Sequence, residues 1–276
     1  MSVSLSIITF LVSLIAGLIG SLLGLGGGII ITPFLTLAAH IDIHHAIGAS
    51  LISVIATSSG SAVAYLRERI TNIRIAMFLE IGTTLGALTG AIIGTSIKTN
   101  FLFILFGLVM LYASAQMFKT RKQELPEGVK ASPLAKALKL SDSYYDDSLG
   151  REVKYEVTGV GQGLFTLYIA GIVSGLLGLG AGVFKVLAMD TFMRLPMKVS
   201  TTTSNFMIGV TAAASAGYYL AHRMIDPFIA APVALGVLVG AMIGTRILIK
   251  VRSTTIRLLF ALVLLAIAAR MILQGV

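Results

Sequence analysis

Apolar residues gather along this chain into eight long runs, roughly 3–39, 44–66, 75–97, 101–118, 161–193, 199–221, 227–249 and 255–274, and most charged residues fall between them. A helix that crosses a bilayer needs about 20 residues at ~1.5 Å each. Most of the runs match that length once, which predicts an all-α integral membrane protein. The first and fifth are too long for a single straight crossing. They are interrupted at Gly24-Leu25-Gly26-Gly27-Gly28 and at Gly178-Leu179-Gly180-Ala181-Gly182, 154 positions later.

The two interruptions belong to a larger duplication. "AGLIGSLLGLGGG" (16–28) matches "AGIVSGLLGLGAG" (170–182), and "GALTGAIIGT" (86–95) matches "GVLVGAMIGT" (236–245) after a four-residue gap. Tyr65-Leu66 answers Tyr219-Leu220, and Phe106 answers Phe260. The chain therefore divides into an N-terminal membrane repeat (1–118), a polar linker (119–158) and a C-terminal membrane repeat (159–276), with four apolar runs in each repeat. Within the linker, "LSDSYYDDSLGREVKYEVTG" alternates in short runs around Leu149-Gly150 and predicts a small β-hairpin outside the membrane.

Composition sharpens this picture. Hydrophobic residues make up 56% of the chain and charged residues only 12%, too few to cover a soluble domain of this length. The net charge of +9 does not point to nucleic acid, because the basic residues sit in loops between apolar runs, the pattern of segments held on the cytoplasmic side. There is no cysteine, which excludes disulfides and thiolate metal sites. The opening segment lacks the basic start and cleavage site of a signal peptide, so it is expected to remain as the first membrane element.

The same charges decide the topology. With four ordinary crossings per half the repeats would be parallel. If the glycine-broken element folds back, each half crosses an odd number of times and the second half is inverted. Inversion places Arg67, Arg69, Arg74, the linker, Arg194, Lys198, Arg246, Lys250, Arg252 and Arg257 on one side, leaving Lys98, Arg223 and Arg270 on the other. The positive-inside rule prefers this arrangement. The expected fold is thus two inverted repeats, each a glycine-broken re-entrant element plus three spanning helices, with both termini extracytoplasmic and the linker cytoplasmic.

Broken helices at matching positions of inverted repeats point to a transporter's binding site. Glycines let a ligand approach the backbone, and the half-helix that follows offers free N–H groups and the positive end of its dipole. Gly26, Gly27, Gly28, Gly180, Ala181 and Gly182 are therefore candidate anion contacts. The run "VSTTTSNF" adds hydroxyl and amide donors at Thr201, Thr202, Thr203, Ser204 and Asn205, with Ser50 opposite Ser204 in the first repeat. Capping and interhelical hydrogen bonding are the competing use of such residues. Lys185, where the first repeat has Ile31, is an intramembrane cation that either attracts the anion or pairs with a carboxylate such as Asp190. Glu80 and Asp190 are the acids well inside apolar runs and hence the candidate proton carriers, although Arg246 and Arg194 could neutralise them.

Gly82, Gly86, Gly90 and Gly94, echoed by Gly236, Gly240 and Gly244, mark a tight helix seam. Such seams serve within one chain or between two copies, so a homodimer is compatible with the pattern. His40, His44 and His45 lack the acid partners of a good metal site, and no metal or cofactor is expected.

The phrases "GLIGSLLGLGGGIIITPFL", "GIVSGLLGLGAGVF", "GALTGAIIGT" and "GVLVGAMIGT" resemble the sulfite exporter TauE/SafE family over nearly the whole chain apart from the linker. The resemblance implies a carrier of sulfur-containing or related organic anions. The reading that follows is a secondary transporter exporting sulfite by alternating access, with or without proton coupling. Uptake of an organosulfonate is the close alternative, and an anion channel is the alternative from another class. No phosphate-binding loop and no nucleophile or metal site stands out, so the chain is not expected to be an enzyme.

Overall fold

The computed structural model describes residues 3–67, 70–119, 126, 128–146, 149–248 and 253–276; Arg69, Lys250 and Arg252 lie outside the described residues. The first half contains α1 (Val3–Leu23), α2 (Gly28–Pro33), α3 (Ile43–Arg67), α4 (Ile73–Gly94) and α5 (Thr99–Lys119). The second half contains α7 (Val160–Leu177), α8 (Gly182–Thr191), α9 (Met197–Ala221), α10 (Pro227–Leu248) and α11 (Ser253–Gly275). Between them lie a short helix, α6 (Pro133–Ala137), and an antiparallel hairpin of β1 (Asp142–Asp146) with β2 (Arg151–Tyr155). Among the described residues, α1, α4, α5, α7 and α10 each carry a segment long and apolar enough to cross a membrane. The chain is an all-α integral membrane protein with a small β-hairpin in its central insert.

The helix α4 is built inside out relative to a soluble one. On α4 the glycines at 82, 86, 90 and 94 are buried while Met77, Ile81, Leu85 and Ile92 are exposed. Large apolar side chains cost nothing against lipid tails, whereas bare backbone lets a neighbouring helix approach closely. Successive turns of α4 meet successive turns of α7: a Cβ on Gly86 would lie 2.1 Å from the Tyr168 carbonyl oxygen, and one on Gly90 2.1 Å from that of Ile172. On the other side Gly236, Gly240 and Gly244 of α10 press in the same way on Phe10, Leu14 and Leu18 of α1. Both seams therefore join one half of the chain to the other, and in each the two helices run in the same direction.

This packing fixes the register of the duplication. Phe10, Leu14 and Leu18 are the repeat equivalents of Leu164, Tyr168 and Ile172, so Gly82, Gly86 and Gly90 are equivalent to Gly236, Gly240 and Gly244. The sequence match that set Gly86 against Gly236 through a four-residue gap is slipped by one helical turn. A stripe of glycines at every fourth position looks the same after a shift of four, although the constant offset of 154 at Tyr65/Tyr219 and Phe106/Phe260 already favoured the register without a gap.

Directions follow from the remaining contacts. α3 also runs parallel to α10, with Gly48 against Met224 and Gly60 against Leu238 and Ala241. Since α1 and α3 both parallel α10, the chain between them has to travel back. Similarly, α9 runs parallel to α4 through the pairs Thr211–Glu80 and Ser215–Ala87, so α8 returns between α7 and α9. α5 and α11 pack antiparallel, with Ser114 donating to the Ala261 carbonyl and Gly107 against Ala268.

The first return, unlike its partner, is built from two helical segments in succession. Pro33 has no N–H to give, and beyond it the helix widens into a π-turn over Phe34–Ala38, with the Ala39 N–H donating to the Phe34 carbonyl at 3.1 Å. The insert docks at the end of the molecule where α4 and α9 begin. Asn72 caps α4, donates through Nδ2 to the Leu140 carbonyl at 2.8 Å and the Tyr155 hydroxyl at 2.9 Å, and donates its own N–H to Thr203. Lys198 adds an ion pair to Asp146 at 2.7 Å. Burial pushes the Tyr155 phenol up to about 12, against the lowering effect of the Asn72 amide, so it stays neutral where it touches α4.

Candidate substrate site

The two glycine breaks meet at the centre of the bundle and clasp each other reciprocally. A Cβ on Gly28 would lie 2.6 Å from the Gly178 carbonyl oxygen, and one on Gly182 2.3 Å from the Gly24 carbonyl oxygen. Gly24, Gly26, Gly178 and Gly180 all hold positive φ, between 69° and 74°, a conformation glycine adopts without steric cost. The tight turn brings Gly26 and Gly27 back against Gly20 of α1, and α7 ends the same way at Gly178.

Side chains from α3 and α9 pin the bare, buried backbone of the breaks. Ser50 donates to the Gly178 carbonyl at 2.7 Å, and Ser204 donates to the Gly182 carbonyl at 3.3 Å. Thr57 accepts the Gly27 N–H at 3.1 Å while donating to Ser53. No side chain caps α8, whose N-cap residue Ala181 sits in the left-handed region at φ 53°.

The polar run on α9 divides by what each residue touches. Thr202 spends its hydroxyl on its own helix, donating to Lys198 and Val199, and Thr203 receives the Asn72 N–H. Ser204 holds Gly182. Thr201 and Asn205 face the first break: a Cβ on Gly24 would lie 2.9 Å from Thr201 Cγ2 and 3.7 Å from Asn205 Nδ2. Asn205 is fully buried, and neither its Oδ1 nor its Nδ2 makes a hydrogen bond among the described residues. A buried amide without partners costs about 1–3 kcal/mol.

Lys185 projects from the first turn of α8 and is completely buried. It lies 3.6 Å from Glu80 Oε2 and donates to the Thr211 hydroxyl, which in turn donates to Glu80 Oε1 at 2.6 Å. Thr84 gives the same oxygen a further hydrogen bond at 3.1 Å. The lysine thus pairs with Glu80 from α4, and not with its helix neighbour Asp190, which lies on the last turn of α8. Arg246, a sequence candidate for Glu80, is exposed near the end of α10. Sequence reasoning missed Thr211 and Thr84. The signal available for Thr211 was its repeat equivalence to Thr57.

At the opposite end from the insert, Asp42 accepts the His44 N–H at 2.9 Å, with the His44 and His45 rings at 3.3 and 3.6 Å. Among the described residues no group of three or more His, Asp or Glu side chains could hold a metal ion.

The family described as sulfite exporter TauE/SafE matches residues 9–271. Among curated proteins, the chain is 28% identical to the probable membrane transporter protein YunE of Bacillus subtilis (strain 168), with 98% of both chains covered. It is 25% identical to the probable membrane transporter protein YdhB of the same strain, over 87% of each chain. A probable membrane transporter protein of Xylella fastidiosa (strain 9a5c) is 26% identical over 91% of this chain and 90% of its own length. No solved structure matches. With the match running from the first helix to the last, this chain belongs to the sulfite exporter TauE/SafE family.

Proposed function

We propose that the protein is a secondary transporter that moves a small sulfur oxyanion, sulfite before an organosulfonate, across the cell membrane by alternating access. The anion sits where the two breaks meet, against the uncapped start of α8, with Asn205 as the side-chain donor and the Thr201 methyl packed beside Gly24. The observation that carries this reading is Asn205, a buried amide with no partner beside the first break. The Nδ2 group suits an oxyanion, and the helix start adds free N–H groups and dipole. Gly26, Gly27, Gly28, Gly180, Ala181 and Gly182 supply the close backbone, Ser50 and Ser204 hold it, Thr203 ties α9 to the start of α4 through Asn72, and Thr202 supports α9.

The halves are inverted repeats, a reading supported by the exchanged seams: α1 packs on α10 as α7 packs on α4. Rocking one half against the other along these seams would open the site to either side. The insert end carries Arg74, Arg194, Lys198 and the insert's own lysines, so it is assigned to the cytoplasm and both termini to the outside. Because the chain has no cysteine, single cysteines introduced at Ser132 and at Val276 should label from opposite sides of sealed vesicles.

The deciding experiment is uptake of labelled sulfite into proteoliposomes. Saturable flux in the wild-type protein that falls in Asn205→Leu supports the site. Flux of a sulfonate without sulfite keeps the carrier and changes the substrate. Absence of flux for every small anion tried, with the protein folded, overturns the carrier reading.

A further inference from the structure

We propose that Glu80, Thr211 and Lys185 form a switched ion pair that ties the movement of each anion to one proton. The inference rests on the carrier reading above and assigns its coupling machinery.

The argument begins with charge balance in a medium that tolerates none left over. Lys185 and Glu80 come from different halves of the chain and meet through the Thr211 hydroxyl, which takes a hydrogen bond from the ammonium and gives one to Oε1. The contact is incomplete: Glu80 Oε2 is 3.6 Å from Nζ and makes no hydrogen bond among the described residues. Lys185 also stands in the first turn of α8, where the dipole already presents positive charge. An anion arriving at the start of α8 is therefore a better partner for the ammonium than a carboxylate it reaches mainly through a threonine.

Drawing the ammonium toward the anion strands Glu80. A buried carboxylate that has lost its counter-charge favours its protonated form. Glu80 borders a groove of about 460 Å³ between α4 and α9 whose walls are almost wholly apolar, among them Met77, Ile81, Leu85 and Val210, so the groove faces lipid and the nearest source of a proton for Glu80 is the insert end. Glu80 lies seven residues into α4, about 10 Å below the insert end at ~1.5 Å per residue. The other charged or titratable groups on the elements around it are Arg74 on α4, Tyr168 on α7, Asp190 on α8, and Lys198, Tyr218 and Tyr219 on α9. Among described residues, Lys185 is the cation within 4 Å of its carboxylate.

The cycle balances. In the empty state the ammonium and carboxylate cancel. In the loaded state the ammonium faces a monovalent anion, Glu80 carries one added proton on a carboxylate oxygen, and the total is again zero. Release on the far side returns the ammonium to Thr211 and frees the proton, so one anion and one proton travel together. Thr211 is a positioning residue: it holds the pair in register without meeting the anion.

The test uses proteoliposomes of the whole protein with an internal pH dye and labelled sulfite, read as net uptake and as exchange at equal pH. For one proton per monovalent anion, each unit of pH gradient should drive about tenfold accumulation. Glu80→Gln is expected to abolish that accumulation while exchange falls far less, and Thr211→Val to lower the protons moved per anion. If Glu80→Gln does not fold, the Glu80→Gln/Lys185→Met pair removes both charges together and should also lose accumulation. Saturable wild-type flux without accompanying proton movement overturns this inference and leaves the carrier reading standing. Full gradient-driven accumulation in Glu80→Gln does the same. Absence of any anion flux strikes the carrier reading first.

Discussion

The two glycine breaks share a backbone and differ in what surrounds it. Gly24 and Gly178 turn at nearly the same positive φ, and so do Gly26 and Gly180. The differences lie one layer out. Gly24 stands against Thr201 and Asn205 of α9, whereas Gly178 stands against Ile47 of α3, the repeat equivalent of Thr201. Leu51 fills the position that Asn205 fills in the other half, and Ile31 the position of Lys185. Thr57 uses its hydroxyl to hold the Gly27 amide, while its equivalent Thr211 bridges a lysine and a glutamate. Duplication supplied one scaffold twice. Around the breaks themselves, the first copy spends Ser50 and Thr57 on backbone groups, whereas the second leaves Asn205 without a partner among the described residues. Symmetry of fold is therefore no guide to symmetry of chemistry here.

The sharpest way to break this comparison is to make the second copy like the first. Asn205→Leu should lower the apparent affinity for the anion by about 10–100-fold, as expected for losing a charged hydrogen bond worth roughly 1.5–3 kcal/mol. It should also raise stability by about 1 kcal/mol, because an apolar group replaces an unpartnered amide. The mirror change, Leu51→Asn, should cost about 1–3 kcal/mol by burying an amide without partners, and should create no second site. Transport assays and thermal unfolding in detergent read the two effects separately. Loss of stability in Asn205→Leu would mean that the amide is structural.

Next in size is the threonine that changed jobs. Thr57→Val leaves the buried Gly27 N–H without its acceptor and should destabilise the protein by about 1–3 kcal/mol while leaving the protons moved per anion unchanged. Thr211→Val should alter the coupling ratio, as argued above. The contrast is read by unfolding and by the pH dye on the same preparations. Equal effects of the two variants on coupling would erase the distinction between the halves.

How much of this was legible in the sequence follows from the same residues. The breaks were visible because glycine clusters are rare inside apolar runs, and the family was visible in the phrases around them. The glycine seams were visible too, but not which helices they join, since a stripe repeated every four residues fits any partner. Nor could sequence say that Thr202 would turn back on its own helix while Asn205, three residues on, would face the break. That depends on which side of α9 meets Gly24. The pairing of Lys185 with Glu80, 105 positions away, is a product of tertiary packing, and local spacing pointed to Asp190 instead.

A smaller effect is expected at the residue that breaks the glycine pattern. Ala181 holds φ 53°, while its equivalent Gly27 holds φ −69°. An alanine in the left-handed region pays roughly 1–2 kcal/mol, of which the greater freedom of glycine in the unfolded chain returns about 0.4–1 kcal/mol. Ala181→Gly should therefore stabilise by about 0.5–1 kcal/mol, measurable as a raised unfolding midpoint. A destabilised Ala181→Gly would show that the methyl group is needed to hold α8 in place.

The smallest predicted effect separates the entries to α3 and α9. Asp42 caps α3 through the His44 N–H, whereas α9 begins at Pro196 without a side-chain cap. Burial pushes the Asp42 carboxyl up, but the His44 N–H, the nearby His44 charge and the two histidine rings together pull it further down, below its ordinary 3.8. A carboxylate depressed on folding contributes stability that is present above its unfolded value and is lost as pH falls through the folded value. The first turn of α3 should thus loosen as pH drops below 3.8. Asp42 is half-exposed, so solvent screening holds the effect to about a few tenths of a kcal/mol. Hydrogen exchange of the α3 and α9 first turns, followed from neutral to acid pH, should show the change in α3 alone. Asp42→Asn should keep the cap and remove the pH dependence. If both helix starts loosened together, the asymmetry between the halves would be confined to the centre of the bundle.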